Sequence, residues 1–296
     1  MKERYTVTTD GFCGRWFEGT THKDKVVIVM PGTGTAEENA VKLFGFIHKA
    51  GYSVMMIANS KWDKELPSDP IQVPVEYAEK AIAVLKEEGY TRFAMYGISF
   101  GARYSLLCAT LIPDIEVVMA ASPYDYVTEG VKGITNPQNC SSLTYRGQDL
   151  PYLPVELLHH NLLAGVCKLL KSRYTFKQIM RFGYDSCKET EEARIRVENI
   201  TADILLLSPG YDDCWPSDTA VPRMERLIRG SGKCKRFKSV VYEKASHIIG
   251  LDLDATPDRK KKMQSMLQAE MNNPQACDEA RREGMKEIID FLGAWE

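Results

Sequence analysis

A serine between two glycines is the residue of this 296-residue chain whose surroundings best suit nucleophilic chemistry. Ser99 lies in the stretch Gly97–Gly101, which follows a short apolar run and opens a helical pattern. A serine on a sharp strand-to-helix turn exposes its hydroxyl but holds a strained backbone. Bulk two positions away on either side would collide, and Gly97 and Gly101 remove that bulk. The pattern predicts that Ser99 is a nucleophile held on such a turn.

A nucleophilic serine needs a base and an acid, and candidates follow later strand-like runs. His247 comes after the run 238–242 and is the only histidine beyond His160. Asp212 and Asp213 come after the run 204–208. Ligands of an open α/β sheet lie at the carboxyl ends of its strands, so we expect these side chains to meet Ser99. A surface loop is the alternative for each, and the residues alone leave Asp212 and Asp213 both open as the acid.

Two backbone amides are needed to stabilise the oxyanion that forms when a carbonyl is attacked. The amide of Phe100, directly after the nucleophile, is the first candidate. The second should come from the loop after the apolar run 25–30, from Thr33 or, as the alternative, Gly34. A phosphate-binding loop fits this Gly-rich segment less well, because it has no lysine at the required place.

The elements that must position these residues alternate between strands and helices along the chain. Buried strands are predicted at 25–30, 53–58, 92–98, 117–121, 204–208 and 238–242, with helices at 36–50, 75–88, 100–109, 219–228 and 278–295. Such alternation predicts an α/β fold, with a mostly parallel, doubly wound sheet. Residues 5–18 are predicted to form an N-terminal antiparallel hairpin. Residues 124–200 show no convincing strand and are interpreted as an inserted cap, or lid, within a single domain spanning 1–296.

The net charge, the apolar runs and the cysteine spacing of the chain disfavour several classes of function. The formal net charge of −2 gives no electrostatic support for nucleic-acid binding. We see no signal peptide and no apolar run long enough to span a membrane. The eight cysteines have no zinc-like spacing, so we expect reduced thiols in a cytoplasmic protein, with no metal and no cofactor. The oligomeric state does not follow from the sequence.

These motifs resemble a known family. The chain is similar to the catalytic domain of the acyl-CoA thioesterase and bile acid-CoA:amino acid N-acyltransferase (BAAT) family, of the α/β-hydrolase superfamily. The segments that carry the resemblance are 30–34, 66–67, 76–82, 97–101, 145–151, 197–206, 212–217 and Tyr242 with His247. It implies an α/β-hydrolase fold, and counting from Trp215 and from the strand before it places the family's acid on Asp212.

Three departures qualify the resemblance. The N-terminal β-sandwich of mammalian relatives is replaced by the short hairpin. Phe100 stands where relatives often have lysine, and the segment before Trp215 is one residue shorter than the family pattern. Acyltransferase members carry a cysteine at the nucleophile position, so Ser99 favours hydrolysis.

The sequence therefore favours a serine hydrolase that cleaves acyl-CoA-type thioesters, a small-molecule substrate, through an acyl-enzyme on Ser99. Alternatives are a carboxylesterase or peptidase on the same triad, an acyltransferase to an amine, or a non-catalytic binding protein. Aromatic candidates for the acyl pocket are Trp62, Tyr124, Tyr126 and Trp215, although core packing is the commoner role of such residues. In the cap, Lys171 and Arg173 are candidates for contacts to CoA phosphates, with a solvated helix face as the alternative.

Overall fold

The computed structural model describes residues 1–133, 136–154, 181, 184 and 187–296. Its strands are β1 Arg4–Tyr5, β2 Gly14–Phe17, β3 His22–Met30, β4 Tyr52–Ile57, β5 Val73–Pro74, β6 Arg92–Ile98, β7 Ile115–Ala121, β8 Glu129–Lys132, β9 Asn136–Ser141, β10 Leu143–Tyr145, β11 Gln148–Asp149, β12 Asp203–Pro209 and β13 Phe237–Tyr242. Its helices are α1 Val7–Asp10, α2 Glu37–Lys49, α3 Glu76–Glu87, α4 Phe100–Leu111, α5 Ser217–Ser231, α6 Pro257–Met266, α7 Gln268–Asn272 and α8 Pro274–Gly293. Short 3-10 helices span Glu191–Ala193, Val197–Asn199 and Leu253–Ala255.

The central sheet has eight strands in the order β1-β2-β4-β3-β6-β7-β12-β13. The first pairs are antiparallel, and from β4 to β13 every neighbouring pair is parallel. Every residue of β4 and β7 except Glu116 is buried, which requires cover on both faces of the sheet. Helix α4 packs against β3, β6 and β7. The predicted α/β-hydrolase fold, with antiparallel N-terminal strands, is confirmed.

The register of the parallel strands brings their carboxyl ends to one edge. Met30 is opposite Gly97, and Ile98 is opposite Ala121. Ala121 is in turn opposite Leu207 of β12. The loops that leave these strands therefore emerge side by side, although they are far apart in sequence.

The N-terminal segment differs from a simple hairpin. Strands β1 and β2 do pair, but helix α1 lies between them where strand alternation was expected. The Thr6 hydroxyl accepts a hydrogen bond from the Thr9 amide, and the Asp10 carboxylate accepts one from the Thr6 amide. Gly11 ends the helix with a φ of 76°. These reciprocal caps stabilise a helical turn that outweighs the two-residue periodicity.

The prediction that residues 124–200 lack strands is wrong. Strands β8 and β9 pair with each other, and β10 pairs with β11 and, in parallel, with β5. These strands are short and mostly polar, so they carry no apolar alternation that a sequence pattern would reveal. The helical run expected over 155–170 lies outside the described residues.

Helices α6 and α7 were not predicted. Both lie between the loop of His247 and helix α8. No helix within the described ranges is long and apolar enough to cross a lipid bilayer.

Candidate active site

Ser99 lies between the end of β6 and the start of α4, on the turn that the sequence predicted. Its φ of 59° and ψ of −122° are unusual for a residue other than glycine and mark a strained backbone. A Cβ atom on Gly97 would overlap the backbone of Gly101, and one on Gly101 would overlap the Met30 carbonyl. Both glycines are therefore required by close approach of the backbone, and together they leave the Ser99 side chain partly exposed.

His247 and Asp212 form a buried pair. The Nδ1 atom of the imidazole lies 2.8 Å from each oxygen of the Asp212 carboxylate. The exposed fraction is 4% for His247 and 0% for Asp212. With Nδ1 held by a carboxylate, the other ring nitrogen, Nε2, is the one left to accept a proton.

The loop after β12 holds the Asp212 carboxylate in its charged form. Burial by itself would raise the pKa of Asp212, but the His247 imidazole and the Cys214 amide favour the carboxylate, and the pKa is lowered. The Cys214 and Trp215 amides donate hydrogen bonds of 2.8 and 3.1 Å to its Oδ1 atom. Asp212 therefore carries a negative charge beside the imidazole at neutral pH.

Asp213 points elsewhere. Its Oδ1 atom accepts a hydrogen bond of 3.1 Å from the amide of Gln268, at the start of α7. Within the described chain, the hydrogen bonds to the imidazole come from Asp212 and none from Asp213. Of the two acids that the residues alone left open, the geometry favours Asp212.

Ser99 and His247 line the same cavity, which has a volume of about 300 Å³. Among the described residues the Ser99 hydroxyl makes no hydrogen bond to the imidazole, and such contacts are often loose until substrate is bound. The Trp215 ring packs edge-on against the imidazole, with ring centroids 5.7 Å apart. The Ser122 hydroxyl donates a 2.7 Å hydrogen bond to the His247 carbonyl.

The candidate oxyanion amides lie at the same cavity. Phe100 and Thr33 line it, together with Gly32, whereas Gly34 does not. Within the described residues the amides of Phe100 and Thr33 donate no hydrogen bond, as expected for the first turn of a helix and for an open loop. The geometry thus favours Thr33 over Gly34 as the second donor.

The four aromatic candidates fall in different places. Trp215 lines the cavity. Tyr124 is buried behind it, with ring centroids 6.0 Å apart, and Tyr126 packs beside Tyr124. The Trp62 indole donates a hydrogen bond to the Thr35 carbonyl and lies outside the cavity wall. Lys171 and Arg173 lie outside the described residues.

Two cavity-lining arginines were missed by the sequence reasoning. Arg103 lies on α4, one turn after Ser99, and Arg259 lies on α6. The signal for Arg103 was present, because a single cation interrupts the apolar run of a helix that is buried almost throughout. Arg259 carried no such signal, because α6 is strongly polar and its place beside the cavity depends on tertiary packing.

Among the described residues, one group of side chains has ligand atoms close enough together to hold a metal ion. Asp212, Cys214 and His247 offer ligand atoms within 4.8 Å of one another. Burial, together with the carboxylates of Asp212 and Asp213, raises the pKa of the Cys214 thiol well above its usual range. A thiolate is the form that binds metal, so this neutral thiol is a poor ligand, and Nδ1 of His247 is already held by Asp212.

Comparison with known proteins agrees with this architecture. A family model described as BAAT / acyl-CoA thioester hydrolase C terminal matches residues 73–292. No sequence among the curated proteins matches the chain. The monoacylglycerol lipase of Paleococcus ferrophilus is similar in structure, with 18% identity, a TM-score of 0.51 and coverage of 100% of both chains. A lipase in an open form has 12% identity and a TM-score of 0.53, with coverage of 99% of this chain and 98% of its own.

At such low identities the two structures show the fold alone. The family model, in contrast, covers well over half of the chain and includes the turn at Ser99 and the loops of Asp212 and His247. The chain therefore belongs to the BAAT/acyl-CoA thioester hydrolase C-terminal domain family, on the α/β-hydrolase fold.

Proposed function

We propose that the protein is a serine hydrolase that cleaves acyl-CoA-type thioesters through an acyl-enzyme on Ser99. The observation that carries this proposal is the pair of 2.8 Å contacts between His247 Nδ1 and the Asp212 carboxylate, at the wall of the cavity that Ser99 also lines. The nucleophile Ser99, the acid Asp212 and the base His247 occur in the chain order of α/β-hydrolases.

In the proposed reaction, Nε2 of His247 takes the Ser99 proton as Oγ attacks the thioester carbonyl. A C–O bond forms, and the negative charge moves to the carbonyl oxygen, which the Phe100 and Thr33 amides bind. The C–S bond then breaks, and the thiol leaves with the proton from the imidazole. His247 then takes a proton from water as the water oxygen attacks the acyl carbonyl. The bond from the acyl carbon to Ser99 Oγ breaks, the imidazole returns the proton to Oγ, and the acid is released. Asp212 keeps its charge and stabilises the imidazolium in both steps.

The choice of a thioester rests on the family, since the triad alone does not separate thioesters from oxygen esters or amides. Arg259 lends further support, because this half-buried cation at the cavity has no hydrogen-bonding or ion-pair partner among the described residues. A CoA phosphate would supply one.

We also propose that residues 124–200 act as a cap on a single domain spanning 1–296. Residues of this segment line the same cavity as Ser99, namely Thr128, Glu129, Val131, Ser142 and Tyr184. The cap would then contribute to the choice of acyl group rather than to the chemistry.

The test is the Ser99→Ala variant, with Ser105→Ala as the matched control. Ser105 is buried in helix α4, which follows Ser99, and its hydroxyl makes no hydrogen bond in the described chain. Removing this hydroxyl should therefore leave turnover and stability unchanged. Ser99→Ala should lose nearly all turnover and all labelling by a fluorophosphonate probe at an unchanged melting temperature. Turnover retained by Ser99→Ala would overturn the proposal.

A substrate panel separates the rival functions. Acyl-CoAs, nitrophenyl esters, aminopeptide substrates and amine acceptors should be compared with the same enzyme preparation. Higher kcat/KM for oxygen esters or peptides would identify a carboxylesterase or peptidase, and product formed only with an amine acceptor would identify an acyltransferase. Absence of both labelling and turnover would leave a binding protein.

A further inference from the structure

The Arg103 side chain is a buried cation that has no acidic partner among the described residues. Its exposed fraction is 3%. Its guanidinium donates to three neutral oxygens, the Thr128 hydroxyl at 2.6 Å, the Ser142 hydroxyl at 3.2 Å and the Tyr126 carbonyl at 3.4 Å. The Nε atom is buried and has no hydrogen-bond partner, and no carboxylate of the described residues lies within ion-pair distance.

A buried arginine is normally matched by a carboxylate, because removing its charge from water is costly. Here the Phe100 and Trp215 rings lie 5.2 and 5.4 Å from the guanidinium carbon and compensate only partly. Burial lowers the pKa of Arg103 to about 10, so the group remains charged at neutral pH. A full positive charge and two N–H donors that have no acceptor among the described residues are therefore held in place by the fold.

Of the five groups around the guanidinium, all except Tyr126 belong to the wall of the active-site cavity. Phe100, Trp215, Thr128 and Ser142 line it, as does Arg103 itself. Arg103 lies one helical turn after Ser99, about 6 Å along the helix axis. An anion bound there would be at short range from the carbonyl that Ser99 attacks.

We propose that Arg103 binds a carboxylate at the far end of a short acyl group, so that the preferred substrates are half-esters or half-thioesters of dicarboxylic acids. The inference rests on the proposed serine hydrolase function and specifies its acyl group. A leaving group must reach solvent, whereas the acyl group stays on Ser99 until hydrolysis. Arg103 is deeply buried and lies on the helix that follows the nucleophile, so its position suits a contact with the acyl group. Arg259 is more exposed, so its position suits a contact with the leaving group.

The test compares two esters with acyl chains of equal length and the same leaving group, 4-nitrophenyl monoglutarate and 4-nitrophenyl valerate. Neither leaving group carries a phosphate, so any preference reports on the acyl end. The wild-type kcat/KM should favour the charged ester by about tenfold or more. Arg103→Gln should lower kcat/KM for the charged ester much more than for the neutral ester, so that the ratio of the two falls to about one, and Arg103→Lys should restore part of the ratio. Arg226→Gln, which removes an exposed charge from α5, should leave the ratio unchanged.

A binding experiment tests the site without turnover and covers the case in which Arg103→Gln folds poorly. Calorimetry on Ser99→Ala should detect monomethyl glutarate and give at least tenfold weaker binding of methyl valerate. Equal binding, or equal kcat/KM for the two esters in wild type, would overturn the Arg103 site and leave the serine hydrolase standing. Unchanged turnover in Ser99→Ala would instead remove the proposed function.

Discussion

The Asp212 carboxylate is charged although no part of it reaches solvent. Its charge is matched by the imidazole on one side and by the Cys214 and Trp215 amides on the other. Asp213, the next residue, turns toward α7 instead. Two identical side chains thus have different partners because the loop directs only Asp212 at His247.

This difference in hydrogen-bond partners predicts a large loss of kcat for one isosteric variant and almost no loss for the other. Asp212→Asn should lower kcat by about 10³–10⁴-fold, because an amide neither stabilises an imidazolium nor selects the required tautomer. Asp213→Asn should keep kcat within about threefold, since an amide oxygen can still accept from the Gln268 amide. Steady-state kinetics on the preferred substrate measure both. The reverse order of effects would make Asp213 the acid.

The same carboxylate predicts a pH dependence of stability. The pKa of Asp212 is lowered in the folded state, so its stabilising effect is complete above its unfolded pKa of about 4 and is lost as the pH falls through the folded pKa. The free energy of unfolding of wild type, minus that of Asp212→Asn, should therefore shrink as the pH falls below about 4. Urea unfolding across this range measures it. A difference that stays constant or grows toward low pH would contradict the lowered pKa.

At the scale of elements, the loop of His247 is held by helices α7 and α8. Glu270 and Arg281 form an ion pair at 2.5 Å, and both are nearly inaccessible. The Glu270 carboxylate also accepts a 2.5 Å hydrogen bond from the Ser246 hydroxyl, next to the candidate base. Arg281 donates to the Ile248 carbonyl on the other side. The two residues that flank His247 are thus fixed by one buried charge pair.

From these contacts we expect Glu270 to act as a positioning residue, so its removal should affect both stability and catalysis. Glu270→Gln should cost about 3 kcal/mol of folding free energy, because it leaves the Arg281 charge less well paired. It should also lower kcat more than it raises KM, because the imidazole loses its fixed place and substrate contacts remain. Asp290→Asn, which breaks an exposed pair with Lys286 on the same helix, should change neither. A drop in melting temperature with normal kcat would leave Glu270 a purely structural role.

At the scale of the whole molecule, parallel register explains why the site could be predicted in part. Runs such as 92–98 and 204–208 are continuous and apolar, and the ends of such strands must meet at one edge. Ser99 and His247 could therefore be proposed from order alone. The choice between Asp212 and Asp213 could not, because it depends on one turn. The strands at 129–149 escaped prediction because polar segments such as Asn136–Ser141 pair through tertiary contacts.

The sequence offered Lys171 and Arg173 as candidates for phosphate contacts, and both lie outside the described residues. Within the described structure, Arg259 lies at the cavity. Arg259 is half-buried, and burial lowers its pKa, so a phosphate at this place would restore the interactions that the charge loses. Arg259→Gln should raise KM for acyl-CoAs by about fivefold and leave KM for nitrophenyl esters unchanged, because only CoA carries phosphates. Lys261→Gln removes an exposed charge from the same helix and controls for net charge. Both variants lower the net charge equally. A rise in KM that is confined to Arg259→Gln and to CoA substrates would identify a direct contact with the phosphate. An equal rise in KM in both variants would show that the effect is only long-range electrostatic attraction.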